Sequence, residues 1–174
     1  FHFMASLVPE KFAFLHVGLW GTEVPIGEDR KNIGKLVKVF CESFANKKRQ
    51  PALILKSNGA GFSILDRERC LKQIKNIKKG FPNEWKLPNI YLLHGDLSPK
   101  EMNYLYNHPK VKSMVSLTHG EGFGRPLLEA SVTDLPVITT GWSGQLDFLN
   151  VDESLLLGGH MVQIPKSAHW ENIM

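Results

Sequence analysis

The 174-residue chain predicts an α/β fold, with helices on both faces of a mostly parallel sheet. Short apolar runs alternate with longer segments of helical periodicity, which is typical of strand–helix–strand units. Polar or glycine-rich loops follow the apolar runs, as at residues 57–61 and 94–97. Crossovers between parallel strands are right-handed, so the helices cover the sheet. We therefore expect a Rossmann-like three-layer sandwich.

The first half of the chain predicts two strands, each followed by a helix. Residues 12–18 and 52–56 are apolar runs of strand length. The helix after the second run is mostly polar, and Leu71, Ile74 and Ile77 are its expected inward residues. The helix after the first run has one apolar face at i, i+3, i+4 spacing, formed by Ile33, Leu36, Val37, Phe40, Cys41 and Phe44.

The second half continues the alternation. Ser98 and Glu101 form a capping box around Pro99, so a helix begins there. Pro126 fits the first turn of a further helix, where a missing N–H is tolerated. The predicted strands of this half are residues 89–93, 112–117 and 136–140, with a short sixth strand at 155–157.

The loops that follow the strands carry most of the unusual residues. In open parallel sheets, ligands bind beyond the carboxyl ends of the strands. This rule gathers the loops after Gly18, Lys56, Leu93, Leu117 and Thr140 at one edge. We therefore expect the functional site at that edge.

Composition places the chain among ordinary globular domains. Hydrophobic residues make up 43% and charged residues 22%, and no apolar run approaches the roughly 20 residues of a membrane span. No signal peptide is visible, and Cys41 and Cys70 lack a CxxC partner. These features predict a cytoplasmic protein with reduced thiols.

The net charge is +4, and basic residues cluster near the ends of two predicted helices, at 47–49 and 75–79. Cations there complement the helix dipole and stay solvated. No aromatic platform or known motif accompanies them, so nucleic acid is not an expected partner. Peripheral contact with an anionic membrane surface is the alternative that remains open.

The most informative segment is residues 117–130, Leu-Thr-His-Gly-Glu-Gly-Phe-Gly-Arg-Pro-Leu-Leu-Glu-Ala. An apolar strand leads into a glycine turn that opens a helix, an arrangement whose backbone N–H groups can hold an anion. Glu121 and Glu129, eight residues apart, add acceptors for hydroxyl groups. A sugar nucleotide carries phosphate groups next to sugar hydroxyls. The segment therefore predicts a binding site for a sugar nucleotide. His119 is a further candidate contact there.

This segment resembles the E-x7-E signature of the family 4 retaining glycosyltransferases, which have the two-domain GT-B fold. The Glu-Gly-Phe-Gly turn, the Leu-Leu-Glu-Ala run and residues 135–144 carry the resemblance, which extends from about residue 12 to 157. It implies that residues 11–174 are the donor-binding, C-terminal half of such an enzyme. Residues 1–10 would be a linker from an upstream domain, and the acceptor domain and closing C-terminal helices would lie outside this chain.

The resemblance also implies roles for residues. Glu129 would bind the ribose and Glu121 the donor sugar, with the amides of the three residues between 121 and 125 against sugar and phosphate. Lys31, assisted by Arg30, would stabilise the leaving diphosphate. The candidate catalytic residues are therefore Glu121, Lys31 and Arg30, and the candidate donor-binding residues are Glu129, Gly122, Phe123, Gly124, Gly18, Asp96, Leu97 and Gly144.

Several of these assignments depart from the family pattern. Many members carry arginine after the glycine of the first strand, whereas here Leu19 follows Gly18. Asp96 and Leu97 would contact the base, although Asp96 serves equally well as a loop residue that caps nearby amides. Gly144 belongs to a segment similar to the family's G-G-x-x-E region, with Asp147 where glutamate is usual.

The implied activity is retaining, metal-independent transfer of a hexose to a hydroxyl of a glycan, lipid or protein-linked sugar, without a cofactor. The chain has no Asp-x-Asp motif for a metal-bound diphosphate. GDP-mannose is the first expected donor, with UDP-glucose and UDP-N-acetylglucosamine as alternatives. Alone, the chain is expected to transfer nothing. The competing interpretations are a non-catalytic nucleotide-sugar-binding module and a GT-B sugar-nucleotide epimerase.

Overall fold

The computed structural model describes residues 8–21, 24–59 and 61–163. Its central sheet has six strands in the order β3-β2-β1-β4-β5-β6, and every pairing among them is parallel. The predicted strands agree with the observed ones to within one residue at each end. These are β1 (Ala13–Val17), β2 (Ala52–Lys56), β3 (Ile90–Leu93), β4 (Val111–Ser116), β5 (Val137–Thr140) and β6 (Ser154–Leu157).

Four helices connect these strands, and side chains bind amides at the start of three of them. Ser63 accepts the amide of Asp66 at 3.1 Å, and Ser98 forms the predicted capping box with Glu101. The amide of Ile33 is bound by the carboxylate of Asp29 at 2.9 Å. The helices are α1 (Ile33–Phe44), α2 (Ile64–Lys79), α3 (Pro99–Tyr106) and α4 (Arg125–Ser131), and a short 3₁₀ turn spans Gly144–Asp147.

The sheet separates two apolar cores, which makes the predicted three-layer sandwich. Strand β2 supplies both, because Ile54 faces the core under α3 and α4, whereas Leu53 and Leu55 face the core under α1 and α2. Neighbouring residues on a strand point to opposite faces, so a strand buried on both sides is apolar throughout. Burying each such side chain contributes about 1.5–3 kcal/mol.

One irregularity changes the alternation in β4. Ala13 pairs with Val111 but Phe14 pairs with Ser113, so Lys112 is an extra residue. Val111 and Met114 consequently both reach the core under α3 and α4, although an odd number of positions separates them.

Two sequence expectations need adjustment. Leu71 is exposed, and Cys70 takes the inward position with Ile74 on the mostly polar helix α2. Val8 is buried in the core and Glu10 accepts a hydrogen bond from Asn89, so the end of the predicted linker packs against the domain. The remainder of that linker, residues 1–7, and the chain end at 164–174 lie outside the described residues.

Candidate functional site

A cavity of about 510 Å³ lies at the carboxyl edge of the sheet. It opens beside the ends of β1 and β2, where the strand order reverses between β1 and β4. Ligands of doubly wound sheets bind at such a reversal. The side chains that line it include Val17, Lys56, Asp96, Leu97, Tyr106, Arg125 and Glu129.

Glu129 presents its carboxylate to this cavity from α4. The hydroxyl of Tyr106 donates to Oε2 at 3.0 Å, and Arg125 Nε lies 3.0 Å from Oε1. Burial and the charge of Glu129 raise the pKa of Tyr106 well above its usual range, so the phenol stays a donor. The carboxylate is oriented from two sides and remains 35% exposed, which leaves it open to a ligand hydroxyl.

Glu121 binds two cations from the loop before α1. Lys31 Nζ donates to Oε1 at 2.6 Å, and Arg30 contributes a longer contact of 3.3 Å to Oε2. Burial alone would raise the pKa of Glu121, but hydrogen bonds and charges from Lys31 outweigh it, with smaller effects of Thr118 and Arg30, and lower that pKa. The carboxylate is therefore ionised at neutral pH.

The backbone of the glycine turn is fastened to the 3₁₀ turn after β5. Ser143 Oγ accepts the amide of Glu121 at 3.2 Å and donates to its carbonyl at 2.8 Å. The amide of Gly144 also donates to the Glu121 carbonyl, at 3.1 Å. A Cβ on Gly144 would lie 2.2 Å from the carbonyl oxygen of Gly122. The absence of a side chain at 144 permits this contact.

The glycines of the turn differ in what surrounds them. Gly124 has φ +89°, a left-handed conformation that favours glycine, and it precedes α4. A Cβ on Gly122 would meet no atom within 4 Å, so this position faces open space. Between them Phe123 is 52% exposed and packs its ring 5.3 Å from that of Phe148.

His16 and Gly18 occupy the base of the site at the end of β1. His16 is fully buried, and its Nδ1 lies 2.9 Å from the carbonyl of Val115. A carbonyl accepts only, so Nδ1 carries the proton and Nε2 presents a lone pair. A Cβ on Gly18 would lie 2.9 Å from that Nε2. Burial lowers the pKa of His16 to about 4, so the ring is neutral at pH 7.

The loop after β3 forms another wall of the cavity. Asp96 accepts the amide of Leu97 at 3.0 Å, which is the loop-capping role that the sequence left open. Lys56 Nζ donates to the carbonyl of Gly95 at 2.7 Å and ties this loop to β2. Lys56, Asp96 and Leu97 all line the cavity.

Asp66 joins three loops at this edge. Its carboxylate accepts the amide of Gly59 at 2.7 Å and contacts Arg69 and His94, each at 2.8 Å. Arg69 in turn donates to the carbonyl of Trp20 at 2.7 Å. We call Asp66, Arg69 and His94 the loop clamp, because they connect the segments after β1, β2 and β3.

Comparison with known proteins gives matches in structure only. No protein-family model and no curated protein matches the sequence. The C-terminal domain of a glycosyl transferase group 1 family protein (LpcC) from Francisella tularensis superposes with a TM-score of 0.63 at 17% identity, covering 98% of this chain and 75% of that one. HepE of Anabaena, solved with UDP and glucose, gives 0.58 at 16% identity, covering 89% and 36%.

The lipopolysaccharide outer core galactosyltransferase WaaB gives a TM-score of 0.53 at 19% identity, covering 80% of this chain and 33% of that one. The chain has the fold of a GT-B C-terminal domain. It spans about a third of the length of HepE and WaaB. The predicted Rossmann-like fold is thereby confirmed, whereas membership of family 4 stays a prediction.

Within this GT-B domain the predicted site residues fall into two groups at one edge. The first surrounds the glycine turn, with Lys31 and Arg30 bound to Glu121. The second lines the cavity, with Glu129 in one wall and the 96–97 loop in another. His119 lies beside the first group, where its amide donates to the carbonyl of Arg30 at 2.9 Å, but its Nε2 contacts the carbonyl of Gly27 at 2.8 Å.

Sequence reasoning gave no role to the side chains of three residues that complete the site. Tyr106 orients Glu129, Ser143 fastens the glycine turn, and Lys56 lines the cavity. A signal was present for Lys56, because a lysine ends an otherwise apolar strand run. Tyr106 lies in a helix at no informative spacing from Glu129.

The described residues hold no cluster of three His, Cys, Asp or Glu side chains arranged as metal ligands. In the same part of the chain, no helix combines the length and the apolar character that crossing a membrane requires.

Proposed function

We propose that the chain is the donor-binding domain of a retaining glycosyltransferase, which holds a nucleoside diphosphate sugar while the sugar passes to a hydroxyl acceptor. The observation that carries this proposal is the Lys31–Glu121 pair beside a glycine turn, next to a cavity that Glu129 lines. In one bound ligand, Lys31 and the turn would contact the diphosphate, Glu121 the sugar and Glu129 the ribose.

The contacts support a role for each of these residues. Glu129, oriented by Tyr106 and Arg125, accepts hydrogen bonds from the ribose hydroxyls. Glu121 accepts them from the sugar. The Lys31 ammonium has three N–H groups, and those not bound to Glu121 donate to the diphosphate. Each such charge-assisted hydrogen bond contributes on the order of 1.5–3 kcal/mol as the leaving group gains negative charge.

Transfer would proceed on one face of the sugar. The bond between the anomeric carbon and the phosphate oxygen breaks, and the diphosphate leaves with the electron pair. The acceptor oxygen bonds to the anomeric carbon from the same side, and its proton passes to the leaving phosphate. Configuration is retained, and Lys31 with Arg30 supplies the positive charge without a metal. We assign transfer to the complete two-domain enzyme and donor binding to this chain.

Support for the donor class comes from HepE, which was also solved with UDP-glucose. GDP-mannose, UDP-glucose and UDP-N-acetylglucosamine are the donors to compare first. The basic residues of α1 and α2 take no part in this proposal.

Titration calorimetry with GDP, UDP, ADP and their sugar conjugates tests donor binding. Glu129→Ala and Lys31→Ala should each weaken binding at least tenfold, and a chelator should change nothing. Lys38→Ala is the matched control, because Lys38 is a half-exposed lysine on the nearby helix α1. Equal affinity in the wild type and both site variants would contradict the proposal.

Product analysis on the two-domain enzyme separates the competing activities. A retaining transferase yields a glycoside with the donor's anomeric configuration only when an acceptor is present. An epimerase would change the sugar without an acceptor, and a binding module would leave the donor unchanged.

A further inference from the structure

Lys56 is a charged residue in a place that strands usually fill with apolar side chains. It ends β2, whose five residues are all buried, and it is itself only 8% exposed. Its strand neighbours are Val17 on β1 and Leu93 on β3, so it lies well inside the sheet.

The ammonium of Lys56 is incompletely matched by the protein. Its Nζ donates to the carbonyl of Gly95 at 2.7 Å. Among the described residues no carboxylate lies within ion-pair distance of it. Burial lowers the pKa of Lys56, and the charge of Asp96 partly offsets that effect. An ammonium carries three N–H groups, so donors remain for an acceptor in the cavity that Lys56 lines.

The residues around the cavity indicate which part of a bound ligand would contact the Lys56 ammonium. Glu129 and Lys56 line the same cavity, and Asp96 and Leu97 border it close to the Gly95 carbonyl that Lys56 binds. With the ribose on Glu129, as proposed above, the base extends toward the 96–97 loop. The atoms of the base edge then come within reach of Lys56.

We propose that Lys56 selects the base of the nucleotide. It donates to O6 of guanine or O4 of uracil, and it rejects adenine and cytosine, which carry an amino group at that position. This inference rests on the proposed function, since it assumes that the cavity holds a nucleoside diphosphate. It narrows the substrate class to nucleotides whose base presents a carbonyl at the position where the other bases carry an amino group.

The discrimination has a simple physical cause. An ammonium only donates hydrogen bonds, and an exocyclic amino group is also a donor. An amino group opposite Lys56 would leave buried donors on both sides without acceptors. Sites that hydrogen-bond one substrate group reject analogues that cannot make the bond, often by large factors. We therefore expect at least a tenfold preference for the carbonyl base.

Two pairs of probes isolate this contact. IDP and ADP differ at one edge of the purine, where a carbonyl beside a ring N–H replaces an amino group beside a ring nitrogen acceptor, and UDP and CDP differ in the same way. For the wild-type chain, calorimetry should give at least tenfold tighter binding of the carbonyl member in at least one pair. In Lys56→Met, whose unbranched side chain is one atom shorter and lacks the donors, that ratio should fall below about threefold.

The ratio separates recognition from a structural role. If Lys56 only held the Gly95 carbonyl, Lys56→Met would weaken all four diphosphates by one factor and leave the ratios unchanged, which would overturn the inference. If Lys56→Met does not fold, Lys56→Gln takes its place. A glutamine amide both donates and accepts, so it too should bring the ratio toward one.

A measurement on the unaltered chain provides a second test. The ¹³C signal of labelled C4 of UDP, or of labelled C6 of IDP, should move downfield on binding if the carbonyl oxygen accepts a hydrogen bond from an ammonium. An unmoved signal, or wild-type ratios below threefold in both pairs, overturns the inference while the proposed function stands. Absence of binding by all four diphosphates and GDP would overturn the proposed function as well.

Discussion

Lys31 Nζ donates to Glu121 Oε1 at 2.6 Å, which joins two residues that lie 90 positions apart in the chain. Both side chains are largely buried, at 12% and 8% exposure. The contact ties the loop before α1 to the glycine turn after β4. It therefore places a cation and a carboxylate together before any ligand arrives.

A double-mutant cycle on this pair should give a large coupling energy. Lys31→Met and Glu121→Gln should each lower the free energy of unfolding by about 2–3 kcal/mol, because each leaves a buried partner unmatched. The double variant should lose about 2 kcal/mol less than the sum of the two. Urea unfolding measures all four proteins.

The matched control is the Lys38–Glu42 pair of α1, an i,i+4 contact of 3.7 Å between side chains about half exposed. Its coupling energy should stay within about 0.5 kcal/mol, as expected of exposed helical pairs. Equal coupling in the two pairs would show that the Lys31–Glu121 contact is no stronger than a surface ion pair.

Alanine at Gly144 should lower stability, whereas alanine at Gly122 should leave it unchanged. The new Cβ at 144 would lie 2.2 Å from the backbone oxygen of Gly122, so the turn must shift. We expect Gly144→Ala to lose about 2–3 kcal/mol of stability, in the range of overpacked sites. The Cβ at 122 meets nothing within 4 Å, so Gly122→Ala should unfold like the wild type.

Gly122→Ala should weaken donor binding although it leaves stability unchanged. Gly122→Ala places a methyl group where the proposed diphosphate sugar approaches the backbone, and binding should weaken at least tenfold. Calorimetry with the preferred sugar nucleotide measures this loss. A Gly122→Ala protein with wild-type stability and wild-type affinity would refute the placement of the donor against the turn.

His16 should make stability depend on pH in the mildly acidic range. Its pKa is lowered to about 4 in the folded chain, against about 6.5 unfolded. Between these values the unfolded state binds more protons, so stability falls as pH drops through this window. From pH 7 to pH 5 the loss assigned to His16 is about 2 kcal/mol.

Comparison with His16→Gln isolates this effect from that of other groups. Urea unfolding of both proteins at pH 7 and pH 5 should show a loss about 2 kcal/mol greater in the wild type. The His16 ring signal in NMR should not titrate between pH 6 and 8. Titration within that range would mean that the ring is not held neutral by burial.

The sequence predicted the layers of the fold better than the contacts of the site. Strands buried on both faces are continuously apolar, and Ser98 with Glu101 marks a helix start through local chemistry, so both could be read directly. The pairing of Lys31 with Glu121 depends instead on the sheet order, which brings the ends of β1 and β4 together. The spacing of residues along the chain does not show that these two strands are adjacent.

Helix α2 shows the opposite limit. Its few apolar residues do not define one clearly apolar face. Leu71 was predicted to face inward, but Cys70 is the buried residue. A weak apolar pattern leaves the helix rotation to tertiary contacts, here the bonds that Asp66 and Arg69 make with neighbouring loops. Those contacts arise from side chains whose partners lie on other elements, so they could not be predicted.

The Asp66 carboxylate of the loop clamp should stabilise the carboxyl edge. Burial disfavours the Asp66 carboxylate, but hydrogen bonds from Arg69, the Gly59 amide and His94 outweigh it and lower its pKa to about 2. Asp66→Asn keeps the shape, loses the charge and turns one acceptor into a donor. We expect it to lose about 2–4 kcal/mol at pH 7.

The pH dependence distinguishes the clamp from simple packing. Since the folded pKa of Asp66 lies below the unfolded value of about 3.9, its stabilisation is complete above that value and is lost as pH falls toward 2. The unfolding free energies of wild type and Asp66→Asn should therefore approach each other by about 2 kcal/mol between pH 5 and pH 2. Glu68→Gln, an exposed carboxylate on the same helix, should stay within 0.5 kcal/mol or so of wild type throughout. A constant difference between Asp66→Asn and wild type across this range would assign the loss to packing rather than to charge.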